Sequence, residues 1–153
     1  MKDLEKRLIY LFTGEFISLV TFVYIYTYYN VNSNNSITLL FVFVLLVFIL
    51  LQASFYWFIK WRRMKTKKVF VPRLNKLLII FNNMNLIFIG IAPALFIIEI
   101  ISSNKLFSSS FFLTLFIYIF VIIEYINYYH IQLTNYKNGR GKRPSMYKEI
   151  FKV

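Results

Sequence analysis

The chain has 153 residues, 59% of them hydrophobic and 21% aromatic, with a mean hydropathy of +0.61 and a formal net charge of +12. A water-soluble domain of this length has no core large enough for so much apolar surface, whereas a bilayer accepts apolar side chains that face lipid. With no cysteine, disulfide staples, thiolate metal sites and cysteine nucleophiles are excluded.

Four apolar runs follow in chain order. The first, Leu8–Tyr28, is preceded by Lys2, Lys6 and Arg7. It contains Glu15 and ends in YIYTYYNVNSNNS without a small-residue cleavage site, so a retained helix is expected rather than a cleaved signal peptide. The second run is Ile37–Ile59, and a basic loop, residues 60–76, separates it from the third, Leu77–Ile101. The fourth is Ser110–His130, followed by a basic tail, residues 131–153. Each run approaches or exceeds the ~20 residues that a helix needs to cross the hydrocarbon core. Spanning backbone has no water to bond with, so each run is expected to be helical. The expected fold class is an all-α integral membrane protein: one membrane domain of four transmembrane helices in two antiparallel hairpins, with a short amphipathic C-terminal tail.

The charges give the direction. Seventeen of the eighteen basic residues lie before the first run, in the 60–76 loop or in the tail. The short loop NVNSNNS carries no charge, and SSNKLFSS carries only Lys105. The positive-inside rule then places both termini and the long loop in the cytoplasm, in a cell (inner) membrane. Tyr24, Tyr26, Tyr28 and Tyr29 mark one interface; Tyr56, Trp57, Trp61, Tyr125, Tyr128 and Tyr129 mark the other.

With the directions set, polar residues can be ranked by depth. Glu15 is eight residues from Arg7, Gln52 eight from Lys60, Asn82, Asn83 and Asn85 six to nine from Lys76, and Glu124 six from His130. At the helical rise, all fall about 9–14 Å from the inner edge. Every helix therefore contributes a strong hydrogen-bonding group to one layer. On the fourth run Glu124, Asn127 and Tyr128, at i, i+3 and i+4, share a face that should look inward, as should Asn82 and Asn85 on the third. Two carboxyls at one depth in a low-dielectric layer are not both expected to be ionised. Two readings of this layer stand. It is glue that sets helix register, or it is a proton- or cation-responsive site suited to ion permeation or membrane perturbation.

Two packing signals accompany it. Gly14 with Ser18, and Gly90 with Ala94, are small-xxx-small pairs that permit close helix approach. Pro93 removes a backbone donor, so Gly90 and Pro93 mark a candidate hinge.

The basic cytoplasmic residues are candidates for contact with anionic lipid headgroups or a partner: Arg62, Arg63, Lys65, Lys67 and Lys68 in the loop, and Arg140, Lys142 and Arg143 in the tail. Nucleic acid is not expected, because no nucleic-acid fold fits in so short a loop. The tail has turn signals at Asn138-Gly139 and at Gly141–Pro144, after which Ser145 caps a short helix. No P-loop, HExxH or nucleotide-binding glycine motif is present. The lone His130 has no second histidine to ligate a metal with. No cofactor, metal or enzymatic activity is expected. A homo-oligomer or membrane-complex subunit is, with recruitment of a partner by the basic loop and tail as the alternative function and a small transporter or membrane enzyme as the remaining one.

Overall fold

The computed structural model describes residues 2–30, 36–66, 71–103, 109–137, 140–142 and 145–151, apart from side chains at some element ends and along two short strands. Four long helices follow one another: α1 (Lys2–Asn30), α2 (Ile37–Thr66), α3 (Leu74–Ser103) and α4 (Ser109–Tyr129). Each contains a stretch long and apolar enough to cross a membrane, so the chain is a multi-pass membrane protein with an all-helical bundle. An antiparallel ribbon of β1 (Gln132–Lys137) and β2 (Arg140–Lys142) and a short α5 (Ser145–Phe151) follow α4.

The ends have local causes. Ser36 caps α2: its Oγ accepts the Leu39 N–H at 2.9 Å and its carbonyl accepts the Leu40 N–H at 3.2 Å. Pro72 and Arg73 form the turn before α3, and the Leu77 N–H returns to the Arg73 carbonyl at 3.2 Å. At the end of α4 the Ile126 carbonyl accepts N–H bonds from both His130 and Ile131, each at 2.9 Å, which closes the last turn.

Two boundaries differ from expectation. Helix α2 continues through the basic residues to Thr66, and α3 starts at Leu74, so the connection between them is shorter than 60–76. Charged residues with long aliphatic stems prolong a helix readily once it leaves the hydrocarbon. In the tail, the Asn138-Gly139 turn signal lies outside the described residues, but the strands beside it pair, with Lys137 opposite Arg140. An Asn-Gly pair is a strong hairpin signal, and strands are its consequence.

Helix α2 is the axis of the bundle. In its most apolar window 61% of residues are buried, against 6% in α1 and 17% in each of α3 and α4. The buried set includes Val42, Leu46, Ile49, Ala53 and Tyr56, whereas Leu40, Val44, Leu51 and Phe55 form an exposed stripe. Ring contacts give the helix directions. Phe12 meets Phe58 at 5.3 Å and Tyr26 meets Phe43 at 4.0 Å, so rising numbers on α1 meet falling numbers on α2. Phe41 with Phe88 and Phe48 with Phe81 give the same sense for α2 and α3. Phe96 with Phe111, and the Tyr125 contact to Asn82, give it for α3 and α4. Met146 of α5 is buried, and α5 packs against α3 and α4.

The two small-residue pairs make no close approach within the chain. A Cβ added at Gly14 or Gly90 would meet nothing within 4 Å. Pro93 sits on an exposed face of α3, which stays helical from Leu74 to Ser103.

Candidate intramembrane site

The polar residues expected in one layer form two clusters, divided by the two polar faces of α4. Tyr125 and Tyr129, one turn apart, point toward α2 and α3. Glu124, Asn127 and Tyr128 point toward α1.

The first cluster is closed. Gln52 Nε2 donates to Asn85 Oδ1 at 3.1 Å, and Asn85 Nδ2 donates back to Gln52 Oε1 at 2.8 Å. The Tyr129 hydroxyl donates to the same Gln52 oxygen at 2.7 Å. All three side chains are buried. Beside them the Tyr125 hydroxyl donates to Asn82 Oδ1 at 2.9 Å, and His130 Nε2 lies 3.2 Å from that hydroxyl. Because the single Tyr125 proton is used on Asn82, His130 is the donor in its contact. Further out, Tyr118 donates to the Ile89 carbonyl at 3.0 Å. Gln52 and Asn85 thus close on each other across α2 and α3, and Tyr129 of α4 joins them.

The second cluster is open. The Tyr128 hydroxyl belongs to the same group as the carboxyls of Glu15 and Glu124, and all three residues line one space. The Asn127 amide also reaches Glu124. Yet Glu124 Oε2, fully covered, has no hydrogen-bond partner among the described residues. These groups line a cleft of about 550 Å³ between α1 and α4, floored by Leu50 of α2. The two helices do not pack backbone to backbone here, and side chains bridge the gap. The mouth is at the bundle surface, where Tyr10 is 76% and Ile17 63% exposed. Gly14 contributes to the width, since its missing Cβ leaves open space.

The sequence-predicted residues are thereby sorted. Gln52, Asn82 and Asn85 join the closed cluster; Glu15, Glu124 and Asn127 join the open one. Asn83 belongs to neither and is exposed on the outer face of α3. Sequence reasoning assigned Tyr125 and Tyr129 to the interface and missed them as hydrogen-bond partners. The available signal was their spacing: tyrosines at i and i+4 place two hydroxyls on one stripe, at the depth of the amides.

At the end of the bundle where α2 leaves the apolar region, Lys60 lies over the rings of Tyr56 and Trp57 at 5.1 and 5.8 Å, and Lys65 over Trp61 at 5.2 Å. Arg62 is exposed, and Arg63 forms an ion pair with Glu149 of α5 at 3.6 Å. A contact of that length between partly exposed groups contributes little to stability. Lys67, Lys68 and Arg143 lie outside the described residues, as do the side chains of Arg140 and Lys142.

Comparison with known protein families, with curated proteins and with solved structures finds no match for this chain.

Proposed function

We propose that this is a non-enzymatic, multi-pass protein of the cell (inner) membrane in which the Glu15–Tyr128–Glu124 cleft takes up and moves protons or small cations. In this reading the helices form two antiparallel hairpins with both termini in the cytoplasm, so the cleft lies in the inner half of the bilayer. The chain works as a homo-oligomer, in which a neighbouring copy closes the lipid-facing side of the cleft.

One observation carries the reading: a phenol and two carboxyls line one cleft, and a covered carboxyl oxygen of Glu124 has no partner among the described residues. Tyr128 has one hydroxyl proton and can donate it to one carboxylate only. The second carboxyl joins it when that carboxyl holds a proton and donates it to the phenol oxygen. A concerted shift then breaks that carboxyl O–H bond, passes its proton to the phenol oxygen and passes the phenol proton to the first carboxylate. Charge moves from one glutamate to the other with no net change in protons. The amide cluster has no such freedom and acts as the glue that holds α2, α3 and α4 in register.

The test is dissipation of a pH gradient by the protein in liposomes. Glu15→Gln and Glu124→Gln should each reduce it about tenfold or more relative to the parent chain. Unchanged flux in both variants removes the cleft from the mechanism.

A second reading, recruitment of a partner by the cytoplasmic face, draws support from α5, whose packing under the helices brings the tail beside Arg63. It predicts that neutralising Lys65, Lys67 and Lys68 abolishes partner binding while substitutions in the cleft leave binding intact. The opposite pattern excludes it.

A further inference from the structure

We propose that the α1–α4 cleft binds hydrophobic organic cations that enter sideways from the lipid and displace a proton from the Glu15–Glu124 pair. This inference rests on the proposed role of that pair and names its ligand class.

Size comes first. A proton relay needs no cavity, whereas about 550 Å³ lies within the range of small-molecule sites. Charge comes second. Two carboxyls face the space, and among the described residues no lysine, arginine or histidine lines it. The other titratable groups lining it among the described residues are Tyr10 on α1 and Tyr128 on α4, while α2 contributes Leu50. The covered Oε2 of Glu124 has no donor among the described residues, so that carboxyl lacks a counter-charge that a cation supplies.

The walls separate an organic cation from a metal ion. Phe22, Phe120, Tyr10 and Tyr128 offer aromatic faces or edges around the carboxyls, and such rings attract a delocalised or alkylated cation. Small divalent cations need several converging oxygens at short range, and here only two carboxyls, Glu15 and Glu124, line the space among the described residues. Access is lateral, because the exposed residues at the mouth, Tyr10, Ile17 and Ser18, belong to the outer surface of α1. A ligand that partitions into lipid reaches this mouth without crossing the closed amide cluster.

The exchange balances simply. The carboxyl O–H bond breaks, the proton leaves to water, and the cation replaces it as counter-charge; no bond forms to the ligand and nothing is oxidised or reduced.

The experiment measures tetraphenylphosphonium binding to the purified full chain in lipid nanodiscs, by equilibrium dialysis, with proton release followed in weak buffer. Saturable binding with one proton released per cation is expected, weakening about tenfold per pH unit as the pH falls, the linkage for one exchanged proton. Glu124→Gln should weaken binding about tenfold or more. Because a Cβ added at Gly14 meets nothing within 4 Å and Gly14 lines the cleft, Gly14→Leu should occupy the space and abolish binding while the helical signal and elution volume stay those of the parent. Absence of saturable binding to the folded parent chain, or binding unaltered in Gly14→Leu, overturns the inference. Loss of cation binding with intact, Glu124-dependent dissipation of a pH gradient leaves the proton reading standing and removes only the ligand class. Failure of both removes both.

Discussion

Two polar clusters at one depth of the same bundle have opposite fates. Around Gln52 and Asn85, amide faces amide and Tyr129 completes the set, so each group meets its complement. Around Glu15 and Glu124, one phenol stands with two carboxyls, a covered oxygen has no partner among the described residues, and a cleft opens beside them. The difference comes from chemistry before geometry. An amide carries a donor and an acceptor and can close on its own kind, whereas a pair of carboxyls lacks donors and must borrow a proton or a cation. A membrane interior supplies neither for nothing, which is why ionisable groups there mark sites of exchange and amides mark points of attachment.

The comparison can be broken at Tyr128. Tyr128→Phe keeps the ring that packs between α1 and α4 and deletes the hydroxyl that stands with the carboxyls. Proton flux should fall about tenfold, in line with loss of a positioned proton-transfer group. Thermal unfolding should shift little, because the packed ring is retained. Normal flux in this variant would mean that the carboxyls act separately or not at all.

The closed cluster predicts a different response. Gln52→Leu removes three interhelical hydrogen bonds. At about 0.6 kcal/mol for an average bond in a membrane, the bundle loses roughly 2 kcal/mol. Reversible unfolding in mixed micelles would measure it, and flux per folded molecule should stay at the parent value. Pairing the change with Asn85→Leu should cost less than the two single changes together, since no amide is then stranded. Strict additivity would contradict the reciprocal pair.

The smallest effect is expected at the candidate hinge. Pro93 is exposed on an unbroken α3, so Pro93→Ala disturbs no packing and should change stability by less than about 1 kcal/mol without altering flux. A large loss of flux would instead restore Pro93 as a gating hinge.

Much of this architecture is legible in the sequence. The lengths of the apolar runs give the four helices, and counting residues to the nearest basic boundary sets Glu15, Gln52, Asn85 and Glu124 at one expected level. The shared face of Glu124, Asn127 and Tyr128 follows from helical spacing and is the face that lines the cleft. What the sequence does not carry is the rotation of each helix about its axis. In water an apolar stripe sets that rotation, but here the lipid-facing and core-facing sides are both apolar. Leu46 is buried and Leu51 exposed on the same helix, and no difference in residue type separates them. For the same reason the central position of α2 and the division of the layer into two clusters emerge only from packing. Asn83 illustrates the limit: its depth matches that of its neighbours, yet it turns outward.

The central claim is that the carboxyl cluster works and the amide cluster holds. One measurement addresses both halves: the rate of pH-gradient dissipation in liposomes containing equal amounts of folded Glu124→Gln or Gln52→Leu chain, beside the parent. The account predicts that Glu124→Gln falls to near the rate of protein-free liposomes while Gln52→Leu retains the parent rate per folded molecule. Equal rates for Glu124→Gln and the parent, or loss of flux confined to Gln52→Leu, would contradict it.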